Sequence, residues 1–183
     1  MTDSNRADLL MGAALGKIIS PEFADYLSTN GFYCAPASTK YHGNYAGGLF
    51  DHSFAVMNFL VELSAKNNLK WQRAESPFIV GIFHDLCKID QYQIDNTTPY
   101  TVGEPTRYEY KKNTMYKGHG DKSVILLSAL MKLTEEEIAC IRYHMGAFVN
   151  KEEWNDYTGA IHIYPNVLWT HQADMMASHI RRI

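Results

Sequence analysis

From Ser76 to Lys88 the chain reads Ser-Pro-Phe-Ile-Val-Gly-Ile-Phe-His-Asp-Leu-Cys-Lys, an almost unbroken apolar run ending on a histidine and an aspartate. Ser76-Pro77 is a helix-opening pair, and a helix from Phe78 to about Cys87 is apolar on almost every side. Such a helix belongs in the middle of a core. That placement creates a conflict, because an isolated carboxylate in an apolar medium is costly and Asp85 needs a partner. One solution is local: Asp85 pairs with Lys88, and His84 bonds a backbone carbonyl. The other is a metal ion, which neutralises the carboxylate and takes the imidazole as a ligand.

Other segments bear on that choice. A long helix from about Phe50 to Asn67 carries the stripe Val56, Phe59, Leu60 and Leu63, and His52 lies on this stripe in the first turn. His119 begins a face continued by Ser123, Leu126 and Leu130, on a helix expected at about Gly120–Lys132. His144 follows Ile138 and Ile141 at helical spacing, on a helix at about Glu135–His144 that Thr134 and Glu137 open with a capping box. Asp174 stands seven residues after Val167 and four before Ser178, on the inward stripe of a last helix starting near Pro165. Five helices each aiming His or Asp into one core would need many separate hydrogen-bond solutions. One or two shared ions is the simpler account, as in helical bundles with ligands on facing helices.

The remaining segments complete one all-helical domain. Ser20-Pro21 opens a short helix that Gly31 closes. Leu9–Ile19 reads as an amphipathic helix rather than a signal peptide, since Asp3 and Asp8 precede it where a basic region would stand. Tyr92–Met115 differs: Tyr100-Thr101-Val102 and Arg107-Tyr108-Glu109-Tyr110 flank Gly103-Glu104-Pro105, which predicts a small β-hairpin or long loop inserted at about 92–116. A chain of 183 residues that is 46% hydrophobic and 20% charged is expected to form a single globular domain over 1–183. No apolar run is long enough to span a bilayer, so no membrane partner is expected. Cys34, Cys87 and Cys140 form no C-x-x-C pair, which suits reduced thiols in a cytoplasm. A net charge of -3 argues against binding to duplex DNA.

The order His, His-Asp, His, His, Asp on helices resembles the HD-domain superfamily of metal-dependent phosphohydrolases. Gly47-Gly48-Leu49-Phe50-Asp51-His52-Ser53 is similar to that family's Gly-Gly-Leu-x-x-His-[Ser/Thr] segment. Phe83-His84-Asp85-Leu86-Cys87-Lys88 is similar to its His-Asp-x-x-Lys motif. Gly118-His119-Gly120, Tyr143-His144-Met145-Gly146 and Ala173-Asp174 fall where its other ligands occur. The resemblance covers about Tyr41 to Ser178. It implies a first metal held by His52, His84, Asp85 and Asp174, with Asp85 bridging to a second held by His119 and His144. It implies an HD-like helical bundle and hydrolysis of a phosphoester, in a nucleotide or related small phosphate, by metal-activated water. Asp85 would orient that water. Lys88, one helical turn after His84, would meet a phosphate oxygen. Three-metal members carry His-His where this chain has His144-Met145, so a third ion is not expected.

Several further residues follow from the same reading. His42 precedes the glycine-rich segment and is a candidate for substrate contact, or else a structural histidine. Arg107, Lys111, Lys112, Lys117 and Lys122, with Tyr108, Tyr110 and Tyr116 interleaved, could embrace a nucleotide, with Lys117 nearest the His119 motif; a solvated hairpin face is the alternative. Single-stranded nucleic acid is the second candidate partner. His171 is a candidate second-shell residue one turn before Asp174, and Trp71, Trp154 and Trp169 are assigned to packing. His and carboxylate ligands suit manganese, iron, cobalt, nickel or zinc. Two rival functions use the same residues: a di-iron oxygenase, and a non-catalytic module in which a metal or nucleotide only stabilises the fold.

Overall fold

The computed structural model describes residues 1–12, 14–97 and 105–183, and helices dominate it. They are α1 (Asp3–Gly12), α2 (Pro21–Thr29), α3 (Gly48–Asn67), α4 (Ser76–Phe83), α5 (His119–Ser128), α6 (Glu135–Arg142), α7 (Trp154–Ile163) and α8 (Asn166–Met175). Local chemistry sets several of their starts. The Ser20 side chain accepts from the Phe23 amide at the head of α2, and Thr134 with Glu137 forms the expected capping box on α6. The last helix continues as a widened π turn over Met176–Arg181.

Helix α4 runs through the core, with Ile79, Val80, Gly81, Ile82 and Phe83 all buried. It packs on α3, α6 and α8, while α6 also meets α5. Phe83 anchors its end among aromatic rings, 5.1 Å from Phe23 and 5.9 Å from Phe32 between centroids. The α3–α4 approach is close because position 81 has no side chain: a Cβ there would stand 2.4 Å from Met57 Cα. This contact sets the spacing between the helices that carry His52 and His84.

Four expectations need correction. The helix expected over Leu9–Ile19 is α1, ending at Gly12, followed by a 3₁₀ turn at Ala14–Lys17. Gly12 and Gly16 are poor helix formers at that joint, while Arg6 is buried and tied to Asp51 of α3 at 3.0 Å. Helix α4 stops at Phe83 instead of reaching Cys87, because the chain tightens into a 3₁₀ turn over Leu86–Asp90. Helix α7 was not expected; it has no fully buried residue, but Tyr157, Ala160 and Ile161 form a half-buried stripe against the core. Lys122 is no part of a solvated face: it is buried and paired with Asp90.

The hairpin exists with a different first strand. β1 (Tyr92–Ile94) pairs antiparallel with β2 (Tyr108–Tyr110), matching Tyr92 to Tyr110 and Ile94 to Tyr108. The expected strand at Tyr100-Thr101-Val102, with Gly103 and Glu104, lies outside the described residues. Three residues of which only Tyr92 is buried are too short a signal to stand out as β1. Trp71 and Trp169 pack against the core as expected, but Trp154 is 46% exposed. No helix among the described residues is long and apolar enough to cross a membrane.

Gly81→Ala should be destabilising by roughly 1–3 kcal/mol or more, the usual cost of overpacking, because the obstacle is backbone and cannot rotate away. Denaturant unfolding would measure it. A variant as stable as the wild type would show that the α3–α4 spacing is not fixed at this point.

Candidate metal centre

Asp85 sits at the N-terminal edge of the 3₁₀ turn, almost fully buried. Side chains at i and i+3 eclipse in such a turn, which places the Lys88 ammonium 2.6 Å from Asp85 Oδ2. His84 caps the C-terminus of α4, and its Nδ1 donates to the Gly81 carbonyl at 2.9 Å. Both bonds of the local solution are therefore present. They do not satisfy the site: His84 Nε2, Asp85 Oδ1, His52 Nε2 and His144 Nε2 are buried without a hydrogen-bond partner.

The ring geometry fixes what those nitrogens are. A carbonyl only accepts, so a histidine nitrogen bonded to one carries the proton. His84 Nδ1 is bonded to Gly81 O, His144 Nδ1 to Ile141 O at 2.7 Å, and His52 Nδ1 to Ile183 O at 2.9 Å. In all three rings Nε2 is left as a bare lone pair, the form that binds metal. These lone pairs surround two carboxylates. His84 Nε2 is 3.5 Å from Asp85 Oδ2, His144 Nε2 is 3.5 Å from Asp85 Oδ1, and His52 Nε2 is 3.2 Å from Asp174 Oδ1. The centre is a buried convergence of acceptors with too few donors, and a cation is the group that satisfies it.

Ligand atoms of His52, His84 and Asp85 lie within 4.8 Å of one another, as do those of His84, His144 and Asp174, and those of Asp85, Cys87 and His119. All six expected ligands thus meet in one place. The grouping adds Cys87, and it puts His144 beside His84 and Asp174, with His119 on the far oxygen of Asp85. The residues fit a divalent transition ion bound by imidazole and carboxylate.

Electrostatics follow from burial and crowding. Burial pushes His84 down to about 4, with Asp85 opposing. Burial acts to raise Asp85, but the Lys88 ammonium and His84 hold it well below the usual carboxylate range. Asp174 is likewise held low against its burial, by its contact with His52 and by the nearby histidines. His144 goes the other way: Asp85 outweighs burial and raises it.

The centre opens into a cavity of about 880 Å³ lined by His42, Lys88, Tyr92, His119, Phe148 and Arg182 among others. His42 belongs to the site, with its ring centroid 4.7 Å from His52 and Nε2 3.5 Å from Ser178 Oγ. Burial lowers its pKa to about 4. Ser178, which no motif singled out, also donates to Asp174 Oδ1 at 3.1 Å. His171 Nδ1 donates to the His144 carbonyl at 2.9 Å, so it supports a ligand's backbone. His179 lines the cavity although sequence reasoning gave it no role. Lys117 does not line this cavity; it is exposed in an adjoining depression that shares Tyr110 and His119 with it. Lys88 lines the cavity, but through the 3₁₀ turn rather than a continuing helix face.

Compared with family models, with curated proteins and with solved structures, this chain matches none.

The metal-free protein should lose stability on acidification. Burial pushes His84 and His42 from the ordinary histidine value of 6.5 down to about 4 when folded, so across that interval the unfolded chain binds more protons and acid favours unfolding. The depressed Asp85 and Asp174 act in the same sense further down. His144 opposes them, since its raised value favours the folded state below 6.5. His119 is lowered by burial as well, so three depressed histidines against one raised leave a net loss between about pH 7 and pH 5. Unfolding free energy measured in the presence of a chelator should fall over this range, and His42→Gln should flatten the slope. Equal stability at both ends would contradict the assignment.

Proposed function

We propose that this chain is a metal-dependent phosphohydrolase built on a single HD-like helical domain, hydrolysing the phosphoester of a nucleotide or related small phosphate in a reducing compartment. The observation that carries the reading is the set of three Nε2 lone pairs and one carboxylate oxygen, buried and unpartnered, around Asp85. Three free cysteines, two of them buried, are consistent with a reducing environment. A divalent ion held by His52, His84, Asp85, His144 and Asp174 would supply an activated water and a positive centre for a phosphate oxygen.

The chain's own residues do the rest. Asp85 Oδ1 has no protein hydrogen bond and is an acceptor able to orient the attacking water. Lys88 presents its ammonium to the cavity beside Asp85, where negative charge on the phosphate grows. His42 and Arg182, on the cavity wall, offer donors to the rest of the phosphate. A cavity of about 880 Å³ is large enough for a nucleotide-sized molecule, and Tyr92, Tyr110 and Phe148 give its wall aromatic surface.

The experiment is metal analysis of anaerobically purified protein, followed by a panel of phosphomonoesters and phosphodiesters. His84→Ala and Asp85→Ala should each lose the bound metal, the activity and the stability linked to binding. Unchanged metal content in both variants would remove the reading. Oxygen uptake by the iron-loaded protein, with no phosphate ester cleaved, would replace hydrolysis by oxygenase chemistry.

Lys88→Met keeps the aliphatic stem and removes the charge. Metal content should hold while turnover falls by something like 10²–10³, the order lost with one electrostatic contact. Full activity would deny Lys88 a role in catalysis, and loss of metal together with activity would make it a support for Asp85 instead.

A further inference from the structure

We propose that Cys87 is a metal ligand: its Sγ, His119 Nδ1 and Asp85 Oδ1 form a second cation site, on the carboxylate oxygen that Lys88 leaves free. The inference rests on the reading of the acceptor cluster as a metal centre and extends it to a residue with a different ligand chemistry.

Cys87 Sγ lies 3.5 Å from His119 Nδ1, and that nitrogen lies 3.8 Å from Asp85 Oδ1. A thiolate at about 2.3 Å and an imidazole at about 2.0 Å from one zinc, at a tetrahedral angle, stand about 3.5 Å apart. The spacing is that of two ligands to one ion. A thiol hydrogen bond to the imidazole also fits this distance, but it leaves Asp85 Oδ1 buried and unpartnered. An ion satisfies all three atoms together. Neither Cys34 nor Cys140 joins a ligand group among the described residues.

The surroundings hold the three atoms in place. Cys87 follows Asp85 by two residues within the 3₁₀ segment, and its amide donates to Ser123 Oγ of α5 at 3.1 Å. His119 is the first residue of that same helix. His119 differs from the other three ligand histidines in what Nδ1 faces. Theirs is bonded to a carbonyl, while that of His119 is directed at the thiol and the carboxylate. Thiolate ligation favours a borderline-soft ion such as zinc, cobalt or iron over magnesium or calcium. Binding displaces the thiol proton.

Cobalt(II) titration of the whole, reduced chain tests this, because a thiolate ligand gives an intense sulfur-to-cobalt charge-transfer band in the near ultraviolet. That band should develop alongside the weaker visible absorption of cobalt held by His and Asp. Cys87→Ala should abolish the ultraviolet band and one equivalent of cobalt, and leave the visible absorption of the other. Cys34→Ala should keep the band. Should Cys87→Ala fail to fold, the Cys34→Ala/Cys140→Ala double variant leaves Cys87 as the sole thiol and must still show it. Visible absorption with no charge-transfer band, or a band that survives Cys87→Ala, would overturn the proposal and leave the His–Asp centre standing. No cobalt bound at all would overturn both.

Discussion

The Asp85 carboxylate organises this molecule. It is buried, charged and surrounded by groups that offer lone pairs more often than protons. A buried ion in a low-dielectric interior costs several kcal/mol unless it is paired and hydrogen-bonded. The single ammonium of Lys88 answers one of its two oxygens. The other oxygen faces His144 and His119, and neither makes a hydrogen bond to it. A fold that brings α3, α4, α5, α6 and α8 together around this point concentrates unsatisfied acceptors where hydrophobic burial alone would exclude them. Stability and the proposed function then share one requirement, a positive charge at the centre.

Helix ends supply the ligands. His84 caps α4, His144 comes just after α6, His119 opens α5, and Asp174 lies in the last turn of α8. Two of these ends use the same device. His84 bonds the carbonyl of residue 81 and His144 that of residue 141, each three positions back. The last carbonyls of a helix have no intrahelical partner. A histidine placed just beyond the last turn satisfies one of them with Nδ1–H, and in doing so fixes its own tautomer with Nε2 facing the core. One hydrogen bond closes the helix and prepares the ligand. His171, bonded to the His144 carbonyl, extends the chain of support one residue further.

Much of this was legible in the sequence. The inward positions of His52 and Asp174 follow from apolar stripes at helical spacing, and the conflict of Asp85 within Ile79–Cys87 pointed to a charge needing a partner. The coarse helical order also follows, because capping residues such as Ser20 and Thr134 act locally. What escaped depends on local tightening or on distant chain. The 3₁₀ turn after His84 ends α4 early, and periodicity at 3.6 residues cannot register it. Cys87 belongs to no C-x-x-C pair, and its partner His119 is thirty-two residues away and joins it only through the packing of α5 on that turn. His179 falls in the widened turn after α8, where helical spacing no longer assigns faces. Helix α7 meets the core only through the half-buried Tyr157, Ala160 and Ile161, a short stripe that the sequence reading passed over.

Charge balance connects the centre to the chemistry proposed for it. Asp85 and Asp174 bring two negative charges and Lys88 one positive, so the ion-free cluster is short of positive charge. A single divalent ion would reverse the sign of the centre. A second ion would add more positive charge than the Cys87 thiolate removes. Either loading turns a cluster of acceptors into a site that attracts an anion, with Lys88 and Arg182 on the cavity wall adding to the same field. Phosphate esters are anions whose leaving oxygen gains negative charge as the ester bond breaks. The same shortage of positive charge that makes the empty site costly would then, once relieved by metal, make it complementary to a phosphate.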